Sequence, residues 1–410
     1  MIIRTIILLS IFFSTLVDAQ SPWCPVGDKS NSVIDSLHYQ QLYSKVQNAM
    51  HGTLDTRAEK YLPVVVHIIT FRGFPVISQA QIIRQIDVLN ADFAGEGENV
   101  LKVSDEFKSL IADTGIRFCL AKTDPEGNPT NGITYDITSI ANIGFRTNDF
   151  GRVLVYYTQE GGTSAWDPSR YINIWVCEIQ PSILGSASFP GMASFPEETG
   201  ILIDFRYFGS LGPASYNTEL RGGHTLTHEM GHYLGLFHIW GITNAGCSDD
   251  DGIMDTPVAD RPWFGCPSGV LTSCGVSNMY QNFMDQTDDR CLAAFTPGQA
   301  QFMQASIDLF YPDLAFEGEC QPVVQPFQSW YDQLQWVYDV LSGQYVIYTP
   351  SGFSPEITID IFSMDGKLIT SSQESGYRSY LLQLDNVVQG VYIARITSGD
   401  TQFVRKISVY

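Results

Sequence analysis

The stretch HEMGHYLGLFH, residues 228–238, decides the fold of this chain. On an α-helix His228 and His232 stand one turn apart and project from the same face, as two ligands of one metal ion must. Glu229 lies beside them, where a carboxylate can reach a water molecule at the metal. An amphipathic helix can carry His and Glu without any metal, so these three residues alone are a weak signal.

The second half of the stretch makes the signal specific. Gly235 can adopt a positive φ without a Cβ penalty, which lets the helix stop and the chain turn. The turn brings back His238 as a third nitrogen ligand. Three protein ligands leave a tetrahedral zinc with one open position, the arrangement of catalytic rather than structural sites. The complete pattern HExxHxxGxxH is the metzincin-type signature and predicts a zinc peptidase site.

Length, charge and cysteine content indicate a secreted globular protein. The 410 residues, 44% of them hydrophobic, suffice for two or three domains and a large core. The net charge of −21 argues against nucleic acid or an anionic membrane as a partner, and clustered acids could bind calcium. Eight cysteines are ordinary in a secreted protein and unusual in a cytosolic enzyme of this class.

The N-terminus has the pattern of a secretory signal peptide. Arg4 supplies the positive start, residues 5–17 are an apolar run that is short for a membrane span, and compact residues at 17 and 19 suit a cleavage site. We therefore interpret residues 1–19 as a signal peptide, with an anchoring helix as the alternative. No other stretch approaches a transmembrane span.

Residues 20–57 are predicted to form a propeptide. Helical periodicity covers residues 35–50, and the segment ends in DTRAEK at 55–60, where a trypsin-like or self-cleaving activity could cut before a strong strand. Cys24 is a candidate latency thiol, because a thiolate is a good zinc ligand. The alternative is a disulfide, for instance with Cys320.

Strands alternate with a helix before the signature, which indicates a mixed sheet with helices packed against it. If the strands that carry Cys119 and Cys177 are neighbours, the two cysteines could form a bridge; otherwise they are buried free thiols. We interpret His67 and His224 as structural histidines rather than ligands. The predicted strands cover 62–69, 116–121, 171–177 and 200–205, and the predicted helix covers 79–93.

A short run of small residues at 183–190 precedes the catalytic helix. Its glycine and proline suit an edge strand better than a central one. An edge strand offers unpaired N–H and C=O groups to an extended peptide. The predicted substrate-binding edge consists of Gly185, Ser186, Ala187 and Ser188.

Four cysteines and an acidic loop follow the signature. The even number predicts two disulfides that staple a loop-rich subdomain, and a second, structural zinc is the alternative, although CxxC spacing is absent. The cysteines are Cys247, Cys266, Cys274 and Cys291. The loop DDDGIMDTP, residues 249–257, offers carboxylates, a glycine and a hydroxyl, which suit calcium; the alternative is a solvated acidic turn.

Residues 62–320 resemble the pappalysin-type metzincin metallopeptidases, in their ulilysin-like branch. The matching pieces are the signature, the loop from 247 to 257, NFMD at 282–285, and residues 288–299. The resemblance implies that Met284 is the Met-turn residue under the zinc. It also implies that Glu229 activates a zinc-bound water.

The same resemblance implies the disulfide pairing and an ion site of the loop-rich subdomain. It pairs Cys247 with Cys274 and Cys266 with Cys291. It also places a structural calcium ion at Asp251, the Ile253 carbonyl and Thr256.

One position departs from the pappalysin pattern. The family usually has a tyrosine two residues after the Met-turn methionine, and this chain has Gln286 there. Its amide can still donate a hydrogen bond near the scissile carbonyl, so Gln286 is a candidate supporting residue. The loss of one such donor can cost about a hundredfold in rate.

The predicted secondary structure changes to short strands after the Pro/Gln-rich linker at 321–329. Short strands at 344–348, 357–362 and 390–396 predict a small β-sandwich over residues 330–410. This region resembles the C-terminal sorting domains of type IX secretion cargo through FSMDGKL at 362–368, GVY at 390–392 and the closing RKISVY. The resemblance implies export through the periplasm and the outer-membrane secretion machinery.

The predicted architecture is therefore an α+β metzincin catalytic domain at 58–320, followed by a small all-β sandwich. The catalytic domain combines a mixed twisted sheet, an active-site helix and a loop-rich C-terminal subdomain. The predicted function is a secreted zinc endopeptidase acting on proteins or peptides. Two alternatives are a catalytically silent surface or binding protein on the same scaffold, motivated by Gln286, and an adhesin defined by the sandwich.

Overall fold

A computed structural model describes most of the chain. The predicted signal peptide, Cys24, Cys320 and the linker 321–329 lie outside the described residues. The described residues are 33–50, 59–193, 195–242, 245–314, 335–339, 344–348, 357–374, 379–382, 384, 387–398 and 401–409.

A six-stranded mixed sheet forms the centre of the catalytic region. Its strands are β1 (Lys60–Phe71), β2 (Ile116–Leu120), β3 (Ile133–Thr138), β4 (Ile172–Cys177), β5 (Gly185–Ala187) and β6 (Ile201–Asp204). The order is β2-β1-β4-β6-β5, and β3 pairs with the second half of β1. All neighbours run parallel except β5, which is antiparallel to β6. Every residue of β4 is buried, as a parallel strand covered on both faces requires.

The sheet order corrects one expectation about the cysteines. Strand β1 lies between β2 and β4, so the strands that carry Cys119 and Cys177 are not neighbours. Two strand spacings are roughly 10 Å, which is beyond the reach of a disulfide. The predicted alternative of a bridge between Cys119 and Cys177 is therefore wrong, and the other alternative, two buried free thiols, holds only for Cys177. Cys177 is a buried free thiol, whereas Cys119 is disulfide-bonded.

Four α-helices surround the sheet in the described part of the chain. They are α1 (Val33–Met50), α2 (Gln79–Phe93), α3 (His224–Tyr233) and α4 (Pro297–Phe310). Helix α4 starts with a capping box, in which the Thr296 hydroxyl accepts from the Gln299 N–H and the Gln299 side chain accepts from the Thr296 N–H. None of the described helices is long and apolar enough to cross a bilayer.

Helix α1, which belongs to the predicted propeptide, is part of the catalytic region's core. It packs against α4, and its Leu42 and Val46 side chains are buried. The Tyr43 hydroxyl donates to the carbonyl of Gly252, in the acidic loop. The segment therefore folds together with the region that follows it.

Two disulfides hold the loop-rich subdomain between α3 and α4. Cys247 is bonded to Cys274 and Cys266 to Cys291, with Cα–Cα distances of 5.3 and 5.6 Å. These are the pairs that the family resemblance implies. Among the described residues, the only strands here are β7 (Thr272–Ser273) and β8 (Val276–Ser277). With so little regular structure, the loops depend on covalent links.

The C-terminal region is a small antiparallel β-sandwich. One sheet has the order β13-β10-β9 and the other β12-β11-β14-β15. Side chains from both sheets meet in one core, for example Ile347 and Leu382 from the first and Ile359 and Ile396 from the second. This confirms the predicted fold class. The strands are β9 (Gln335–Asp339), β10 (Gln344–Tyr348), β11 (Ile357–Ser363), β12 (Leu368–Glu374), β13 (Ser379–Leu382), β14 (Gly390–Ser398) and β15 (Thr401–Val409).

Candidate active site

The three histidines of the signature meet at one point. Helix α3 presents His228 and His232, and the chain then turns at Gly235, which has a φ of 99°. The turn brings His238 back so that the three Nε2 atoms lie 3.0 to 3.3 Å from one another. Among the described residues, this is the one group of metal-ligating side chains with such a geometry.

The surroundings of the histidines prepare their Nε2 atoms to bind a cation. The Nδ1 of His228 donates to the Phe283 carbonyl, and the Nδ1 of His232 donates to the Leu236 carbonyl, each at 2.7 Å. A neutral imidazole that donates through Nδ1 keeps a free lone pair on Nε2. Burial lowers the pKa of His228 to about 4, so its ring is neutral at pH 7. Three nitrogen lone pairs converging at this separation fit a zinc ion.

Met284 forms the floor below the metal-binding helix. A Cβ added at Gly231 would lie 2.4 Å from the Met284 sulfur, so the thioether packs directly against the helix backbone. The Met284 N–H donates to the Asn282 side chain, whose amide pairs in both directions with Gln299 of α4. The loop that carries Met284 is thereby tied to the capping box of the last helix.

Glu229 lies between the histidines and the edge of the sheet. Its side chain is fully buried. A Cβ added at Gly185 would lie 3.0 Å from Glu229 Cγ, so the start of β5 packs closely against the glutamate. Strand β5 is the last strand of the sheet, and Ser188 continues its pairing through hydrogen bonds with Gly200. The structure thus brings the predicted substrate-binding edge next to the glutamate.

A cavity of about 300 Å³ opens beside His228 and Glu229. Its wall includes Gln286, whose backbone N–H donates to Asp285. The lining contains no lysine or arginine, and its further acidic residues are Glu219, Asp285, Asp288 and Asp289. The wall is therefore acidic, but burial raises the pKa of Asp285 to about 8 and also raises that of Asp289, so these two carboxyl groups contribute less negative charge than their number suggests.

Comparison with known proteins agrees with this geometry. Residues 156–308 match the peptidase M43 family, described as pregnancy-associated plasma protein-A. A promirolysin mutant from Tannerella forsythia has a similar structure, with a TM-score of 0.65 and 31% identity over 73% of this chain and 99% of that one. The chain belongs to the pappalysin family.

Further relatives of this pappalysin agree with that assignment. Mature mirolysin of T. forsythia, solved in complex with a cleaved peptide, is 36% identical over 63% of this chain and 98% of its own, with a TM-score of 0.57. An extracellular metalloprotease of Arthroderma benhamiae is 29% identical over 272 residues, which are 64% of this chain and 78% of the relative. Residues 342–410 match a secretion system C-terminal sorting domain.

The pappalysin is thus a secreted zinc metalloendopeptidase with a type IX sorting tail. This confirms the predicted enzyme class and location. The comparisons lend no support to a catalytically silent binding protein on the same scaffold. The sandwich that suggested an adhesin is the sorting tail.

The acidic loop of the pappalysin gathers three oxygen atoms. The Thr256 hydroxyl lies 2.6 Å from both the Asp251 Oδ1 and the Ile253 carbonyl oxygen. The second carboxylate oxygen of Asp251 is buried and has no hydrogen-bond partner among the described residues. Asp255, by contrast, accepts from the Thr296 hydroxyl and the Gly298 N–H at the start of α4.

A buried ion pair that the sequence does not signal anchors the first turn of the metal-binding helix. The Asp92 carboxylate of α2 accepts from His224 Nδ1 at 2.7 Å and from the Thr227 hydroxyl at 2.6 Å. The N-cap, Gly223, has no side chain, and Asp289 accepts from its N–H instead. His224 is therefore structural, as we expected, but its partner lies 132 residues away in sequence.

The His224 ring carries a positive charge at neutral pH. Burial alone would lower its pKa, but Asp92, and more weakly Asp289 and Glu98, outweigh burial and raise the pKa to about 9. Because this value lies above the unfolded value of 6.5, the charged ring stabilises the fold. The contribution is complete below about pH 6.5 and is lost as the pH rises through about 9.

We predict that Asp92→Asn lowers the free energy of unfolding of the metal-free protein in a pH-dependent way. The difference from wild type should reach about 3 kcal/mol near pH 6 and shrink towards pH 9.5, because the ion pair with Asp92 exists only while His224 is charged. Urea unfolding followed by circular dichroism at several pH values measures it. Asp105→Asn, at an exposed carboxylate, is the control and should show no such trend. A pH-independent difference would contradict the assignment.

Proposed function

We propose that residues 58–320 hydrolyse extended peptides at a zinc ion held by His228, His232 and His238. The observation that carries the proposal is the convergence of three Nε2 atoms beside a buried glutamate at the edge of the sheet. Zinc bound at this position polarises the peptide carbonyl and lowers the pKa of a water molecule.

Glu229 is the proposed general base and acid. It follows His228 on the helix, so its carboxylate lies beside the ligand set rather than in it. In this position it takes a proton from the attacking water and passes it to the leaving amine. Its side chain is buried against the sheet edge and also lines the cavity through which a substrate would approach.

Strand β5 is the proposed substrate-binding strand. It pairs with β6 on one side, and no strand of the described residues pairs with its other side. A peptide laid antiparallel along Gly185, Ser186, Ala187 and Ser188 would extend the sheet and carry its scissile bond past Glu229. Gln286, in the cavity wall, is the proposed donor of a supporting hydrogen bond from its side-chain amide.

The acidic cavity is the proposed pocket for a basic substrate side chain. It opens directly beside Glu229, so the side chain that enters it belongs to a residue flanking the scissile bond. Arginine or lysine would find opposite charge there, and glutamate would be repelled.

The acidic loop is the proposed site of a structural calcium ion. Asp251, the Ile253 carbonyl and Thr256 supply three converging oxygens, and the unpartnered Asp251 oxygen supplies a fourth. Calcium prefers such hard oxygen ligands and fills its remaining positions with water. A bound ion would compensate the buried charge of Asp251.

We also propose the processing scheme that the sequence suggests. Residues 1–19 are a signal peptide, residues 20–57 a propeptide with Cys24 as the candidate latency thiol, and residues 330–410 the part that the outer-membrane secretion machinery recognises. The packing of α1 against α4 supports folding of the propeptide with the enzyme before cleavage. The match of the tail to sorting domains supports the last assignment.

We predict that Glu229→Gln retains stoichiometric zinc and loses peptidase activity by at least about a hundredfold in kcat, because the amide cannot accept the proton. Casein hydrolysis and metal analysis measure the two quantities. Glu197→Gln, at an exposed carboxylate, is the matched control and should remain active. Full activity of Glu229→Gln would refute the proposed mechanism.

We predict that peptides with arginine or lysine at one residue flanking the scissile bond are cleaved with a kcat/KM at least about tenfold above that of the glutamate analogues. Paired fluorogenic peptides that differ at one position measure the ratio. Glu219→Gln, at the exposed mouth of the cavity, should reduce the preference without abolishing cleavage. Equal kcat/KM values for the basic peptides and their glutamate analogues, at both flanking positions, would show that the cavity does not discriminate between basic and acidic side chains.

We predict that millimolar calcium raises the melting temperature of the dialysed protein by several degrees, as ligand binding of about 2 to 3 kcal/mol implies. Differential scanning calorimetry at a buffered zinc concentration measures the shift. Asp251→Asn should abolish most of it, and Asp105→Asn should leave it unchanged. A wild-type response in Asp251→Asn would place the ion elsewhere.

A further inference from the structure

The third histidine of the metal site is held differently from the other two. His228 and His232 each donate through Nδ1 to a backbone carbonyl. For His238, the hydrogen-bond-length contacts of its ring among the described residues are those of Nε2 with the other two imidazoles. Because ligand orientation depends on such outer contacts, another group must set the plane of this ring.

The indole of Trp240 supplies that contact. Its ring and the His238 imidazole are stacked, with centroids 4.2 Å apart and an angle of 12° between the planes. Both side chains are buried, and Trp240 belongs to the main hydrophobic core. The core therefore presents a flat, rigid face to the imidazole.

The backbone turn at residues 238–241 fixes the stacked arrangement of His238 and Trp240. The Gly241 N–H donates to the His238 carbonyl at 3.0 Å, so residues 238–241 form a tight turn that folds Trp240 back over His238. Gly241 has a φ of 93°, and a Cβ there would lie 2.4 Å from the Asp249 carboxylate. Only glycine suits this corner. The Ile239 N–H also reaches the Met284 carbonyl at 3.4 Å, which ties the turn to the loop that carries Met284.

We infer that Trp240 is a positioning residue that holds the His238 ring in the plane zinc binding requires, the task that backbone carbonyls perform for His228 and His232. The inference rests on the proposed zinc site. A stacked face fixes the tilt of the ring and leaves Nε2 free to point at the metal. Removal of that face should loosen one ligand of three.

The test compares Trp240→Leu and Trp240→Phe with wild type in the full-length enzyme. Competition with a chromophoric chelator measures the zinc Kd. We expect Trp240→Leu to raise it about tenfold or more, the usual cost of losing an outer-shell contact, and Trp240→Phe to raise it only about threefold. Trp166→Leu, a half-buried tryptophan away from the metal, is the matched control and should keep the wild-type Kd. A wild-type Kd in folded Trp240→Leu would overturn the inference.

Cobalt substitution provides a second readout that does not depend on activity. The visible absorption of cobalt reports ligand geometry, and we expect it to change in Trp240→Leu and persist in Trp240→Phe. If Trp240→Leu does not fold, Trp240→Phe decides: its zinc Kd should rise about threefold, because the smaller ring covers less of the imidazole. A wild-type zinc Kd in Trp240→Phe would then overturn the inference.

The two possible failures remain distinguishable. If wild type binds no zinc, or if His232→Ala binds it as tightly as wild type, the proposed zinc site itself is wrong. If wild type binds zinc and only the Trp240 variants depart from the expected results, the proposed zinc site is retained and the positioning role of Trp240 is rejected.

Discussion

Three imidazole nitrogens that lie within 3.3 Å of one another are the constraint on which the rest of this structure depends. Neutral lone pairs repel at that distance, so the arrangement persists only where the surroundings force it or a cation occupies the centre. Here the surroundings do so by three means. Backbone carbonyls hold His228 and His232, a stacked indole covers His238, and Met284 supports the helix from below.

The helix that carries two of these ligands has only ten residues and is oriented by its neighbours. A helix this short has little stability of its own. Asp92 holds its first turn through His224, and Asp289 replaces the missing N-cap side chain. Since Asp289 also lines the acidic cavity, one carboxylate contributes both to the orientation of the catalytic helix and to the charge of the proposed substrate pocket.

The loop-rich subdomain has a comparable role on the other side of the site. It carries Met284, part of the cavity wall and the proposed calcium loop, yet it contains almost no regular structure among its described residues. Two disulfides, the cap that Asp255 makes on α4, and the amide pair between Asn282 and Gln299 hold it in place. These links let a loop region define an active site with the precision of a helix or strand.

The sequence by itself determined what is local in this protein. The spacing of the three histidines and the turn at Gly235 depend on residues within a few turns of one another, and their pattern predicts them directly. The buried β-branched runs likewise predicted four strands of the central sheet. Strand β3 was not among the predicted strands, although all residues of ITYDIT except the aspartate are β-branched or aromatic types that favour strands.

Only the tertiary structure decided which distant residues meet. Nothing in the sequence places Asp92 beside His224 or puts β1 between the strands of Cys119 and Cys177. The physical reason is that strand order and buried ion pairs arise from the packing of whole elements. A local sequence pattern indicates which side chains can bind a metal or pair with a charge, and only the fold determines which of them come into contact.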